Sequence, residues 1–205
     1  MLLRSLHRAS ALVLISYAVL HIANHLASLE SVSLHLAAMN ALRKAYRQPV
    51  VEALLLGCVA FQASSGTWLL VRGWSTRVGR VAWLQAISGA YLAFFLLVHV
   101  AAVLYGRTAL HLDTNFYYAA AGFHVHPYQW FFAPYYFFAV VALLAHLGCA
   151  LYWQFEGSRP SQARSLLRAA LGLGVVVSLL ITLSLAGTFE FINLPAEYRA
   201  TYGAP

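Results

Sequence analysis

Five stretches of this 205-residue chain stay apolar over roughly positions 5 to 29, 50 to 72, 81 to 105, 129 to 153 and 166 to 187. About 20 residues of helix cross a hydrocarbon layer, and backbone groups in lipid must be satisfied within their own segment. The expected fold is therefore all-α, an integral membrane bundle of five transmembrane helices. With 61% apolar and 9% charged residues, the chain cannot cover a soluble globule of its size with polar surface. Disorder, collagen-like repeats and soluble enzyme architectures are excluded by the same numbers. Membrane lipid is thus the expected solvent of a single domain, 1-205. The net charge of +7 does not point to nucleic acid, because arginines anchoring one face of a membrane protein produce the same balance.

An odd number of spans puts the termini on opposite sides. Arg4, Arg8, Arg72, Arg77, Arg80, Arg159, Arg164 and Arg168 fall with the N-terminus, against Arg43, Lys44, Arg47, Arg107 and Arg199 with most of the acids. Eight against five predicts a cytoplasmic N-terminus, in what is expected to be a bacterial inner membrane. The first segment starts like a signal peptide but belongs to a repeat, so a permanent helix is expected. Cys58 and Cys149 fall in opposite halves of the bilayer and predict no disulfide.

The connections carry their own signals. Glu30 to Gln48 predicts a short interfacial helix, after which Pro49 starts the second span. Glu52 then reads as a helix-start carboxylate rather than a proton-handling acid. Gln62, Ser64, Ser65 and Gly66 suit close helix contact, as do Ala170, Gly174, Ser178 and Thr182 at intervals of four. Tyr105 to Gln129 reads as a long aromatic loop lying on the bilayer surface or capping the bundle. His124 and His126 within it have no third ligand nearby and read as solvated or capping groups, as does His111.

The chain also repeats itself. Leu6-His7-Arg8-Ala9-Ser10-Ala11 precedes an apolar run that ends at His21, and Ile87-Ser88-Gly89 precedes one that ends at His99. In both copies the histidine follows the serine by eleven positions, and the copies are offset by 78 residues. Self-similarity at a fixed offset implies two related helix pairs, about 1-75 and 79-155, with an extra helix at about 166-187.

His21, His25, His99 and His146 fall within the spans. Ionisable groups in hydrocarbon are costly and mark a site by default. Neutral imidazoles from two facing helices, with few carboxylates nearby, suit axial ligation of haem iron better than zinc or a proton relay. From serine to histidine the rise is about 16 Å in both copies at 1.5 Å per residue, so His21 and His99 should lie level in the outer half. One b-type haem held by these two is expected, with His25, one turn on, as substitute ligand or haem-edge group. His146 should lie too near the opposite face to share that iron. No nucleophile with its base and no acid pair is discernible, so any catalysis is expected to reside in a partner.

His7-Arg8-Ala9-Ser10 and Ile87-Ser88-Gly89, each followed by its histidine, resemble the membrane cytochrome b subunits of succinate dehydrogenase and fumarate reductase. That resemblance covers four spans. It implies a haem-b anchor that exchanges electrons with quinone and docks soluble flavoprotein and iron-sulfur subunits. It also implies that His21 and His99 match the outer haem's ligands, that His146 matches one inner ligand, and that Gln62 stands where the other would be. Glutamine is a poor haem ligand, so a second haem is not expected. A quinone pocket would fall near Arg8 and Ser10, with Ser88 as the matching serine. Tyr46-Arg47-Gln48-Pro49 with Glu52 resembles a segment of a fungal mitochondrial outer-membrane family of tethering adaptors. The alternative reading is accordingly a membrane adaptor or assembly protein of the same fold with structural or no haem. A transporter is disfavoured, since no broken helices occur at matching positions of the two halves.

Overall fold

The computed structural model describes residues 2–203, in which all regular structure is helical. Helices α1 (Leu2–Ala27), α3 (Pro49–Arg72), α4 (Arg80–Thr108), α6 (Gln129–Phe155) and α7 (Pro160–Leu185) are long and apolar enough to cross a membrane. Three short helices, α2 (Val32–Tyr46), α5 (Phe116–His124) and α8 (Ala196–Ala200), lie at one end. Local chemistry sets the boundaries. Pro49 and Pro160 occupy first-turn positions where a missing N–H costs nothing. Ser31 Oγ accepts from Leu34 N at 3.1 Å to cap α2, and Asn115 Oδ1 accepts from Tyr117 N at 2.9 Å to cap α5. Gly79 enters α4 with φ +90°, a backbone conformation that favours glycine.

The fifth span begins at Pro160, six residues before the apolar run suggests, because Arg164 and Arg168 extend its first turns toward the polar face. Around the bundle α1 packs on α3, α3 on α4, α4 on α6 and α6 on α7, and α7 returns to touch α1. The small-residue stripe of α7 faces α6. A Cβ built on Gly148 would lie 2.8 Å from Ala170 Cβ, and one on Gly174 would lie 3.2 Å from Leu144 Cβ. Ser178 Oγ donates to the Phe137 carbonyl across the same seam. Leu12, Val19, Leu54, Leu97 and Val176 remain exposed on the outer surfaces of these spans, as a lipid-facing wall requires.

The connection from Tyr105 to Gln129 takes the capping alternative, and it does so as a helix rather than a loop. Its helix α5 buries Phe116 and Ala120 against Val32, Ile181, Leu185 and Ile192, so it forms the core of a cap over one end of the bundle. Polar ties fasten that cap. Arg43 Nη1 meets Asp113 Oδ1 at 2.8 Å, and Arg47 Nη2 donates to Thr114 Oγ1 at 3.3 Å. Val32 N donates to Glu190 Oε2 at 2.7 Å, and His124 Nε2 donates to the Leu185 carbonyl at 2.9 Å. His124 is thus a helix-end cap. Glu52, at the start of α3, pairs with Arg107 at 2.5 Å and ties the two halves at the level of the cap. Cys58 and Cys149 are both free and buried.

Candidate functional site

Polar side chains inside the bundle collect at two levels, an outer one toward the cap and an inner one toward the start of α1. At the outer level the rings of His21 on α1 and His99 on α4 approach to 6.2 Å between centroids, with planes at 67°. Each is held by an aromatic ring one turn earlier: Tyr17 stacks on His21 at 5.5 Å and 18°, and Phe95 stacks on His99 at 5.0 Å and 15°. Tyr17 and Phe95 obey the same 78-residue offset as the histidines, so the clamp is duplicated along with the ligand position.

No hydrogen bond engages either ring nitrogen of His21, His25 or His99 among the described residues, whereas His7 and His146, the other two histidines within the spans, are both bonded. A polar atom left in this state inside a protein requires an explanation, such as a ligand. The nitrogens of His21 and His99 keep some exposure, while Nδ1 of His25 is sealed off without a partner. With metal–nitrogen bonds of about 2 Å, a metal shared by two imidazoles brings their centroids to roughly 6 Å, the separation found here. The pair therefore has donors, spacing and access suited to one iron. Neither ring carries the outer hydrogen bond that ligating histidines commonly make, so aromatic stacking supplies the orientation instead.

The imidazoles continue past this pair. His25 lies 4.8 Å from His21, and His35 of α2 lies 5.1 Å from His25. His35 is buried, donates from Nδ1 to the Asn24 carbonyl at 2.8 Å and accepts from Asn24 Nδ2 at 3.3 Å. Burial holds its pKa below the ordinary 6.5, with the charge of Arg43 acting the same way and the bond to Asn24 opposing both.

At the inner level the two halves use a common clasp. Gln62 Nε2 donates to the His7 carbonyl at 2.5 Å and to Ser10 Oγ at 2.8 Å. In the second half His146 Nδ1 donates to the Gln85 carbonyl at 3.1 Å and lies 3.3 Å from Ser88 Oγ. Position 85 is position 7 moved by 78, so Gln62 and His146 occupy equivalent places. Ser10 and Ser88 are committed to these helix contacts, and Arg8 stands exposed. His146 belongs to this inner level, away from the His21 and His99 pair.

Of the expected site residues, His21, His99 and His25 come together, and His146, Ser10 and Ser88 gather separately. Sequence reasoning overlooked His7, His35, Asn24, Tyr17 and Phe95. The offset could have flagged Tyr17 with Phe95, and His7 against Gln85. His35 carried no signal, because it lies outside the spans and the second copy has Asp113, not a histidine, at the matching position. No protein-family model, curated protein or solved structure matches the chain.

Proposed function

We propose that this chain is a haem-b-binding membrane subunit that passes electrons between a quinone and a separate soluble dehydrogenase or reductase of the succinate dehydrogenase and fumarate reductase kind. The observation that carries the reading is the pair of unengaged imidazoles, His21 and His99, held 6.2 Å apart by matching helices and matching aromatic clamps. Haem b would supply one-electron storage to an interior that has no redox group of its own. Everything else is the work of the chain. His21 and His99 offer nitrogen donors, Tyr17 and Phe95 fix the ring planes, and the apolar walls of α1 and α4 exclude water. His25 stands beside the pair as the substitute donor. Arg47, whose Nε atom is buried without a partner and which pairs with no carboxylate among the described residues, lies within electrostatic reach of Tyr17 and would offer positive charge to carboxylate arms.

A cytoplasmic N-terminus in a bacterial inner membrane completes the proposal. The support is the tally of basic residues, eight on the N-terminal side against five on the other, because acids contribute little to orientation. Flavoprotein and iron-sulfur subunits would then dock on the arginine-rich face.

The deciding experiment is the visible spectrum of the full chain purified from haem-replete cells. A six-coordinate b-type spectrum on reduction supports the reading. A correctly folded but colourless preparation overturns it and favours the adaptor or assembly role.

A further inference from the structure

The turn between α3 and α4 lies at the end of the bundle opposite the cap, and it fixes an arginine between two aromatic rings. Trp74 and Trp83 meet at 5.1 Å with their planes at 90°, which makes a corner of two indoles. Arg77 fills that corner, its guanidinium carbon 5.9 Å from the Trp74 ring and 5.4 Å from the Trp83 ring. Its Nη2 donates to the Leu70 carbonyl at 3.4 Å, and its Nη1 is buried with no hydrogen-bond partner among the described residues. Gly73 makes room for this placement, since a Cβ there would lie 3.2 Å from Nη2. The cation is thus held between the last turn of α3 and the first turn of α4.

No carboxylate answers it. The ion pairs among the described residues join Arg43 to Asp113 and Arg107 to Glu52, both toward the cap. Of the six acidic residues only Glu156 belongs to this end, and it accepts from the Tyr152 hydroxyl at 2.9 Å. Arg72 at the end of α3 and Arg80 at the start of α4 are exposed and add to the unbalanced charge. Helical side chains lean toward the N-terminus of their helix, so the Trp83 ring covers the turn that Arg80 begins, on the same face.

We propose that this turn binds the headgroup of an anionic phospholipid in the adjoining leaflet, with Arg77 as the fixed charge and Arg80 and Arg72 as mobile partners of the phosphodiester. Tryptophan favours the headgroup level of a bilayer, which puts the clamp at the depth of the lipid phosphates. The same features reject a zwitterionic headgroup. A choline or ethanolamine cation would need a carboxylate or an open aromatic corner, and here the carboxylate is lacking and Arg77 already occupies the corner. The turn therefore selects net negative charge. It does so at one place on a face whose other arginines, Arg164 and Arg168 among them, are exposed and have no aromatic clamp among the described residues. The site is independent of any haem.

The test is native mass spectrometry of the full chain titrated with phosphatidylglycerol and with phosphatidylcholine of matched acyl chains, with circular dichroism checking the fold of each variant. The wild type is expected to retain a single phosphatidylglycerol about tenfold more tightly than phosphatidylcholine, the scale of a charge-assisted contact. Arg77→Gln and Arg80→Gln should each bring that preference toward unity. The paired substitution Arg164→Gln with Arg168→Gln removes more charge from the same face and should leave the preference intact. Arg80 makes no side-chain hydrogen bond or ion pair among the described residues, so its variant reports on binding even where Arg77→Gln weakens the turn. Equal retention of the two lipids by the wild type, a preference that survives either single substitution, or one that falls as far in the paired control overturns the proposal and leaves diffuse charge for an acidic protein partner. Displacement of the lipid by inorganic phosphate also overturns it, in favour of a soluble anion.

Discussion

In the first helix pair the inner histidine stands on the leading helix, His7, and the amide on the returning one, Gln62. In the second pair the amide leads, Gln85, and the histidine returns, His146. At the outer level nothing is exchanged: Tyr17 and His21 face Phe95 and His99, an aromatic ring and an imidazole in each copy. A clasp between helices needs only a donor to the carbonyl at position 7 or 85, which glutamine and histidine both provide. At the outer level the copies stay matched, as the proposed sharing of one ligand by two like donors would require. The two levels therefore separate what the duplicated frame requires for packing from what it holds ready for chemistry.

The largest effect should come from breaking the matched level. His21→Ala and His99→Ala should each abolish the six-coordinate b spectrum while leaving circular dichroism helical. Survival of that spectrum in both would sink the pairing. The next test concerns how tightly the second clasp is built. A Cβ on Gly89 would lie 2.9 Å from His146 Cε1, a ring held by its hydrogen bond, whereas one on Gly66 would sit 3.5 Å from His7 Cε1. Gly89→Ala should cost about 1–3 kcal/mol in detergent unfolding, with Gly66→Ala close to neutral. Equal costs would mean that the two clasps are equally tolerant. Ser10→Ala and Ser88→Ala probe the same equivalence more gently, at about 1 kcal/mol each and within experimental spread of one another.

The smallest effect concerns a group with no counterpart in the second half. Because the folded pKa of His35 lies below its ordinary 6.5, its contribution is complete above that value and falls as pH drops through the lower folded pKa. The protection factors of α2 amides, corrected for the intrinsic exchange rate at each pH, should fall on acidification, and His35→Gln should flatten that response. An identical pH profile in the variant would remove His35 as the cause.

Much of the membrane frame was legible because lipid imposes it. Twenty-odd apolar residues in a row and a 78-residue offset suffice to set five spans and the equal heights of His21 and His99. Even Tyr17 and Phe95 follow the offset, although aromatic residues are too common in spans to attract notice alone. The inner contacts were hidden for a different reason. Gln62 meets Ser10, and Ser65 meets His7, only once α3 is rotated against α1, and that rotation comes from packing along both helices. Of the two places the sequence left open for the aromatic stretch, the bilayer surface or a cap, only the enclosure of Phe116 by residues from α2, α7 and the tail decides for the cap, and its helix α5 gave no signal of its own. Periodicity describes a helix, but it does not say which distant segment will cover it.

The outer end of α1 is finished by residues far along the chain. Ser184 bonds to Ser28 at 2.7 Å, and Glu190 accepts from Val32 N. Synthesis runs from the N-terminus, so α1 and α4 both exist before α7 and the residues that follow it can cover this end of α1. Until then the end of α1 that carries Asn24 and Ser28 keeps an open side, and its two fastenings, to Ser184 and to Glu190, are made only after most of the bundle is in place.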